Sequence, residues 1–215
     1  MPIGGWVLRQ ACWEVRSWRE AGHGAVQVAV NVSVCQFTHG NLAGMVAQAL
    51  ADAGVDGSCL IVEVTESVIM QNATDSAQQL TALRKLGVRV SLDDFGTGYS
   101  SLSHLEDLPI NDLKIDRSFV QRLNGIGNAG TLVQAIGALA HSLGMRTVAE
   151  GVENQHQLDL LKAMRCDLAQ GYFLARPDSP GRLRERLAGQ ALVSPVVALA
   201  GSPLLTVQRE PGTIQ

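Results

Sequence analysis

The sequence predicts an α/β fold, most simply a β/α barrel, and three observations carry that reading. Amphipathic helical segments and short apolar runs alternate along most of the chain, the grammar of a parallel sheet covered by helices. Two turns, Leu86-Gly87-Val88-Arg89-Val90 and Leu143-Gly144-Met145-Arg146-Thr147, are close to interchangeable, so one helix–turn–strand unit recurs. Nearly every strand-like run ends in Asn, Asp, Glu, Lys or Gln, and a barrel gathers its strand ends at one mouth. An open doubly wound sheet is the competing arrangement. It is disfavoured because no Gly-x-Gly-x-x-Gly follows the first strand and no P-loop is present.

Each element has a local reason. From Trp6 to Ala21, Leu8, Ala11, Cys12, Val15 and Trp18 share a helical face while Arg9, Arg16 and Arg19 fall largely elsewhere. Gly22 and Gly24 end this helix, and Val26 to Asn31 follows as a strand. A second helix, Leu42 to Ala53, stops at Gly54 before the strand Cys59 to Glu63. Thr74 is the expected N-cap of a third helix that runs to Leu86 and stops at Gly87. The strand Val88 to Asp93 comes next, then Asp112 to Asp116. A helix through Val133, Ile136, Ala140 and Leu143 leads into Met145 to Glu150. Gln155 to Met164 is the last expected helix and Cys166 to Gln170 the last strand. After about Leu187 the pattern fails. The expected layout is therefore a barrel domain over 1–187 and an irregular or disordered tail over 188–215.

At 215 residues, 46% hydrophobic and 17% charged, the chain has an ordinary globular balance and room for a sizeable core. A net charge of −3 with no basic block argues against duplex nucleic acid as a partner. Cys12, Cys35, Cys59 and Cys166 form no Cys-x-x-Cys pair and read as buried thiols of a reducing compartment. The five histidines show no ligand spacing. With neither a signal peptide nor a membrane-spanning apolar run, a soluble cytoplasmic protein is expected.

The chemistry concentrates at Asp93-Asp94-Phe95-Gly96-Thr97-Gly98-Tyr99-Ser100-Ser101, where two adjacent carboxylates close a strand and open a glycine-rich loop. Adjacent acids repel, and one or two divalent cations relieve that repulsion; an oxygen-rich set suits magnesium, calcium or manganese. A solvated Asp-Asp-x-Gly turn is the plain alternative for the motif alone. The other strand ends weigh against it: Asn31, Glu63, Lys114 with Asp116, Glu150 and Gln170 would converge with Asp93 and Asp94 on one mouth.

Those residues, with Trp6-Val7-Leu8-Arg9-Gln10-Ala11-Cys12, Val30-Asn31-Val32-Ser33, Glu63-Val64-Thr65-Glu66-Ser67, Leu113-Lys114-Ile115-Asp116-Arg117-Ser118-Phe119-Val120, Ala149-Glu150-Gly151-Val152-Glu153 and Gln170-Gly171-Tyr172, resemble the EAL domain in order. The resemblance runs from about Pro2 to Pro177. This family comprises bacterial cyclic di-GMP phosphodiesterases with a TIM-like barrel. It implies hydrolysis of cyclic di-GMP to linear pGpG by water activated between two metals, Mg2+ or Mn2+. By the same resemblance Asn31, Glu63, Asp93, Asp94 and Glu150 are metal ligands, and Glu150 is also the general-base candidate. Lys114 orients the water and offsets phosphate charge. Gln170 and Asp116 are polar contacts, Glu66 anchors the Asp94-to-Ser101 loop, and Glu153 supports from outside. A homodimer through that loop is implied as well.

The resemblance begins after the family's Glu-Ala-Leu strand, which carries a further ligand glutamate and a phosphate-contacting arginine. The expected barrel is thus incomplete, lacking its first strand. A miscalled start, with sensor or GGDEF-type domains upstream, is the first explanation, ahead of a true truncation. A gap in the barrel is expected to lower solubility or promote pairing, and to slow turnover. The alternative function is a degenerate, weak or inactive EAL domain that binds cyclic di-GMP or a partner.

Overall fold

A computed structural model describes residues 2–23, 26–96, 105–124, 129–188 and 196–198. The elements in order are α1 (Pro2–Glu20), β1 (Val28–Asn31), α2 (Val34–His39), α3 (Leu42–Ala53), β2 (Leu60–Thr65), α4 (Glu66–Gln71), α5 (Ala73–Lys85) and β3 (Arg89–Phe95). Then come β4 (Asp112–Ile115), α6 (Arg117–Gln121), α7 (Ala129–Ser142), β5 (Arg146–Ala149), α8 (Gln155–Ala163), β6 (Leu168–Gln170), α9 (Pro180–Ala188) and β7 (Val196–Ala198). The strands pair in sequence order, β1 through β6 all parallel. Among the described residues β1 and β7 do not pair, so the sheet is an incomplete TIM-like barrel.

The two faces of the sheet divide by the strand period of two. Val28 and Val30, Leu60, Val62 and Val64, Val90 and Leu92, and Leu113 and Ile115 join one large core with the helices. The alternate positions carry a small separate cluster, Ala29, Ile61, Val148 and Leu168. One step of two residues beyond these four lie Asn31, Glu63, Glu150 and Gln170. The same alternation therefore builds the apolar plug and, above it, a ring of polar side chains.

Helix α1 buries the face read from the sequence: Leu8 and Trp18 are fully covered, Cys12 and Val15 nearly so. Helix α9 returns to α1, where Arg184 Nη2 donates to Ser17 Oγ at 2.7 Å, so the helical layer curls round even though the sheet stays open. At the foot of the sheet, Asp112 is 2% exposed and accepts from Arg89 Nη2 at 2.9 Å and from Arg146 Nε at 2.7 Å. This ties β3, β4 and β5 together at the end away from the polar ring.

Several sequence readings need correction. Asn72, not Thr74, caps α5, its side chain accepting from Asp75 N–H; Asn is as good a cap as Thr and stands directly before the first helical residue. Cys35 is exposed while the other three cysteines are buried, because it lies on the outer side of the short helix α2. Part of the tail read as irregular is a strand: Val196–Ala198 pairs antiparallel with β6, its backbone covering an otherwise open edge. The rest of 189–215 lies outside the described residues. Helices α2, α4, α6 and α9 were not read, since segments of five to nine residues are too short for helical periodicity to stand out. Among the described residues no helix is long and apolar enough to cross a membrane.

Candidate active site

At the carboxyl ends of the strands one ammonium sits among three carboxylates. Lys114, on β4, is 1% exposed. Its Nζ lies 3.0 Å from Glu63 Oε2, 3.0 Å from Asp93 Oδ1 and 2.7 Å from Glu150 Oε1. These acids come from β2, β3 and the end of β5, so three parallel strands flanking or near β4 supply one cluster. Gln170, ending β6, donates Nε2 to Glu150 Oε1 at 2.7 Å. Asn31 ends β1 in register with Glu63 and is exposed at the rim.

Asp94 owes its position to a break in β3. Leu92 is in register with Leu113 but Phe95 with Ile115, so the strand holds one extra residue between these pairs. Asp94 has φ 56°, the left-handed conformation that Asp tolerates better than most residues. Phe95 consequently returns to the helical core, 5% exposed, and Asp94 stays out of it. Asp94 N–H donates to Asp93 Oδ1 at 3.0 Å, which fixes the two acids against each other.

The loop beyond is tied by a buried acid. Glu66 is 4% exposed at the start of α4, and its Oε2 accepts from Gly96 N–H at 3.2 Å. Gly96 has φ 90°, and a Cβ there would lie 3.2 Å from the Phe119 ring. The implied dimerisation segment continues through Thr97 to Ser101, which lie outside the described residues.

Other expected residues sit differently. Asp116 caps α6, its Oδ1 accepting from Ser118 N–H at 3.0 Å. Glu153 is turned to α6, where its Oε1 accepts from Gln121 Nε2 at 3.2 Å; it is not part of the acid cluster. Sequence reading missed Gln157, fully buried, whose Oε1 accepts from Glu153 N–H at 2.7 Å while Nε2 donates to Val120 O at 3.3 Å. Gln157 N–H is itself capped by Asn154 Oδ1, and an Asn-x-x-Gln start to the helix was the one available signal.

Burial dominates the electrostatics. It raises Glu63 above the usual carboxylate range, with Lys114 opposing and Asp93 adding to the rise. Burial likewise pushes Glu150 up to about 7, against the pull of Lys114 and helped by Asp93 and Glu63. Asp94 is raised by burial, then by Asp93 and Asp116. Burial alone would lower Lys114, but Glu63, Glu150 and Asp93 overcome it and hold the ammonium charged.

Three carboxylates thus face one ammonium, with Asp94 fixed beside Asp93, and such oxygen donors suit a hard divalent cation. Glu63 Oε2 and Lys114 Nζ are buried without a well-directed hydrogen bond among the described residues, despite their 3.0 Å approach. The contact is an ion pair off the hydrogen-bond direction, and an acceptor so placed fits a cation partner. As they stand, the acids converge on Nζ; among the described residues no three His, Cys, Asp or Glu close on a common metal position.

The family model for the EAL domain matches residues 2–177. The chain belongs to the EAL-domain family. It is 45% identical over 177 residues to the bifunctional diguanylate cyclase/cyclic di-GMP phosphodiesterase MucR of Pseudomonas aeruginosa, covering 82% of this chain and 26% of MucR. It is 43% identical over 182 residues to the cyclic di-GMP phosphodiesterase NbdA of the same organism, covering 85% of this chain and 23% of NbdA. The chain therefore spans about a quarter of these curated relatives. The MucR phosphodiesterase in complex with cyclic di-GMP superposes with a TM-score of 0.82 at 44% identity, covering 84% of this chain and 73% of that one. The calcium/cyclic di-GMP complex of Klebsiella pneumoniae BlrP1 gives 0.69 at 28% identity, covering 79% and 43%.

Proposed function

We propose that this EAL domain hydrolyses cyclic di-GMP to linear pGpG. The observation that carries the reading is the cluster of Glu63, Asp93 and Glu150 around buried Lys114 at the strand ends, in a chain similar to phosphodiesterases such as MucR and NbdA. Asn31, Glu63, Asp93, Asp94 and Glu150 are the residues that would hold Mg2+ or Mn2+. Divalent cations at such a site supply an acidified water and charge stabilisation on the phosphoryl oxygens.

The chain's own groups supply the remainder. Glu150 is the general base that takes the proton of the attacking water. The water oxygen forms a new bond to phosphorus, the P–O3′ bond breaks, and the proton ends on the released 3′ hydroxyl. Lys114 offsets charge on the phosphate as it develops. Gln170 holds Glu150 in one orientation through its amide, and Glu66 holds the start of the 94–101 loop through Gly96. We also assign that loop as a homodimer contact.

The test is incubation with cyclic di-GMP and manganese, with product separated by chromatography. Formation of pGpG, abolished in Asp93→Asn, supports the enzyme. A regulatory module that binds cyclic di-GMP or a partner without turnover is the second reading. The observation that favours it is that Glu63, Asp93 and Glu150 are already ion-paired to Lys114 Nζ. Tight binding with no product would select it.

A further inference from the structure

Strands β4 and β5 run side by side up to the acid cluster, and the last rung between them is Glu150 N–H donating to Ile115 O at 3.1 Å. Beyond it the two strands part. β4 passes through Asp116 into α6, and β5 passes through Glu150 into the segment 151–154 that leads to α8. Lys114 and Glu150, whose charged atoms lie 2.7 Å apart, therefore stand at the roots of two diverging segments. On its other side the segment after β5 is held by β6, where Val152 N–H donates to Gln170 O at 3.0 Å.

One buried side chain rejoins the diverging pair. Gln157, on α8, has no exposed surface. Its Oε1 accepts from Glu153 N–H at 2.7 Å, and its Nε2 donates to Val120 O on α6 at 3.3 Å. The partners fix which end of the amide is which, since an N–H needs the oxygen and a carbonyl needs the nitrogen. A primary amide used in this way takes the place of a peptide unit and adds a rung where the backbone ladder has stopped.

Two further contacts join the segment to α6, and neither replaces that rung. At the near end Gly151 approaches Arg117 so closely that a Cβ would lie 2.6 Å from Arg117 Cβ, which is contact without a bond. At the outer end Gln121 Nε2 donates to Glu153 Oε1 at 3.2 Å, but that pair is exposed and water competes for it. The Gln157 amide is shielded from such exchange, and a buried polar group with both ends bonded specifies one arrangement of the chains it joins.

We propose that Gln157 is a positioning residue for the reaction: by tying segment 151–153 to α6 it holds the Glu150 carboxylate in place beside Lys114. The inference rests on the phosphodiesterase reading above, in which Glu150 takes the proton of the attacking water. Gln157 acts through the backbone of Glu153, three residues beyond Glu150, so its loss should appear in the chemical step and not in substrate binding.

The experiment measures cyclic di-GMP hydrolysis by the 215-residue chain at saturating manganese, with urea denaturation of every variant. Gln157→Met keeps most of the volume and loses both hydrogen bonds. Gln157→Asn keeps the amide but is one methylene too short to reach both partners. Each is expected to lower kcat about 10- to 100-fold, with KM for cyclic di-GMP near its wild-type value. Gln157→Glu, kept protonated by burial, can accept from Glu153 N–H and donate to Val120 O, and should restore most of the turnover. Val46→Ala, a cavity at a fully buried position on α3, lowers stability without touching this link and should leave kcat unchanged. Wild-type kcat in the folded Met and Asn variants overturns the positioning role and leaves the phosphodiesterase reading intact. A rise in KM without a fall in kcat does the same. Failure of both variants to fold, or an equal loss of kcat in Val46→Ala, assigns Gln157 to the fold alone and also overturns the role. No recovery in Gln157→Glu overturns hydrogen bonding as the cause. Absence of pGpG from the wild type overturns the underlying reading, and the positioning role with it.

Discussion

Replacing Lys114 with Met removes one positive charge from a site where it has no substitute. Nζ lies within 3.0 Å of oxygens on Glu63, Asp93 and Glu150, and the side chain is 1% exposed. Methionine keeps most of the volume, so packing changes little. Breaking a buried ion pair by deleting one partner costs about 3–5 kcal/mol, a large part of the roughly 5–15 kcal/mol that holds an ordinary domain. The loss must depend on pH. Glu150 already stands at about 7 with the lysine present, and Glu63 is raised as well. An acid whose pKa is higher folded than unfolded is favourable to the fold below the unfolded value, and that advantage is lost as pH rises through the folded value. Without Lys114 both acids rise further. At about pH 5 Glu150 is protonated and the variant is expected to move towards wild-type stability; at about pH 8, above the value of about 7 that Glu150 has with the lysine present, the larger deficit should appear. Urea denaturation followed by circular dichroism, with EDTA present throughout, measures this. A deficit that is the same at both pH values, or below about 1 kcal/mol at the higher one, would refute the view that Lys114 neutralises this cluster.

Asp112→Ala is expected to lower stability by about 3 kcal/mol, the low end for a buried ion pair because Arg89 and Arg146 can still reach water. Cyclic di-GMP affinity should be unchanged, since Asp112 begins β4 at the opposite end from Lys114; urea melts and calorimetry check the two halves. In thiol titration with Ellman's reagent, only Cys35 should react in the native state. Cys12 and Cys59 are pushed up by burial to about 12 and about 11, and burial also raises Cys166. Gly151→Ala is expected to cost about 1–3 kcal/mol and most of the turnover, because φ is 69° and the new Cβ would sit 2.6 Å from Arg117 Cβ, displacing the neighbouring Glu150. Titrating divalent cation into the apoprotein should raise its melting temperature, and Glu63→Gln should reduce that rise.

Much of the site was legible one residue at a time. Glu63, Asp93, Lys114, Glu150 and Gln170 were all found by noting which polar residue ended each apolar run, because strand alternation places those positions on the face opposite the helices. Glu153, which the resemblance implied as a support from outside the cluster, was not readable in this way, and it bonds to Gln121 on α6. Once the chain leaves a strand the period of two no longer says where a side chain goes. Gln157 escaped notice for a related reason: its side chain accepts from Glu153 N–H and donates to Val120 O, 37 residues earlier in the chain than Gln157 itself, and helical periodicity reports only that a position is buried.

The sequence by itself determined the alternation of helices and strands, the identity of the polar strand ends and the membership of the family. The first two depend on local spacing, which a linear chain records directly, and the third on motifs matched in order along the chain. Only the tertiary structure decided that Lys114 Nζ stands among three acids, that an extra residue in β3 lifts Asp94 out of the helical core, and that Cys35 is exposed. Each of these follows from the register of one strand or helix against another. Register is set by packing between segments far apart in the chain, so no single segment carries it.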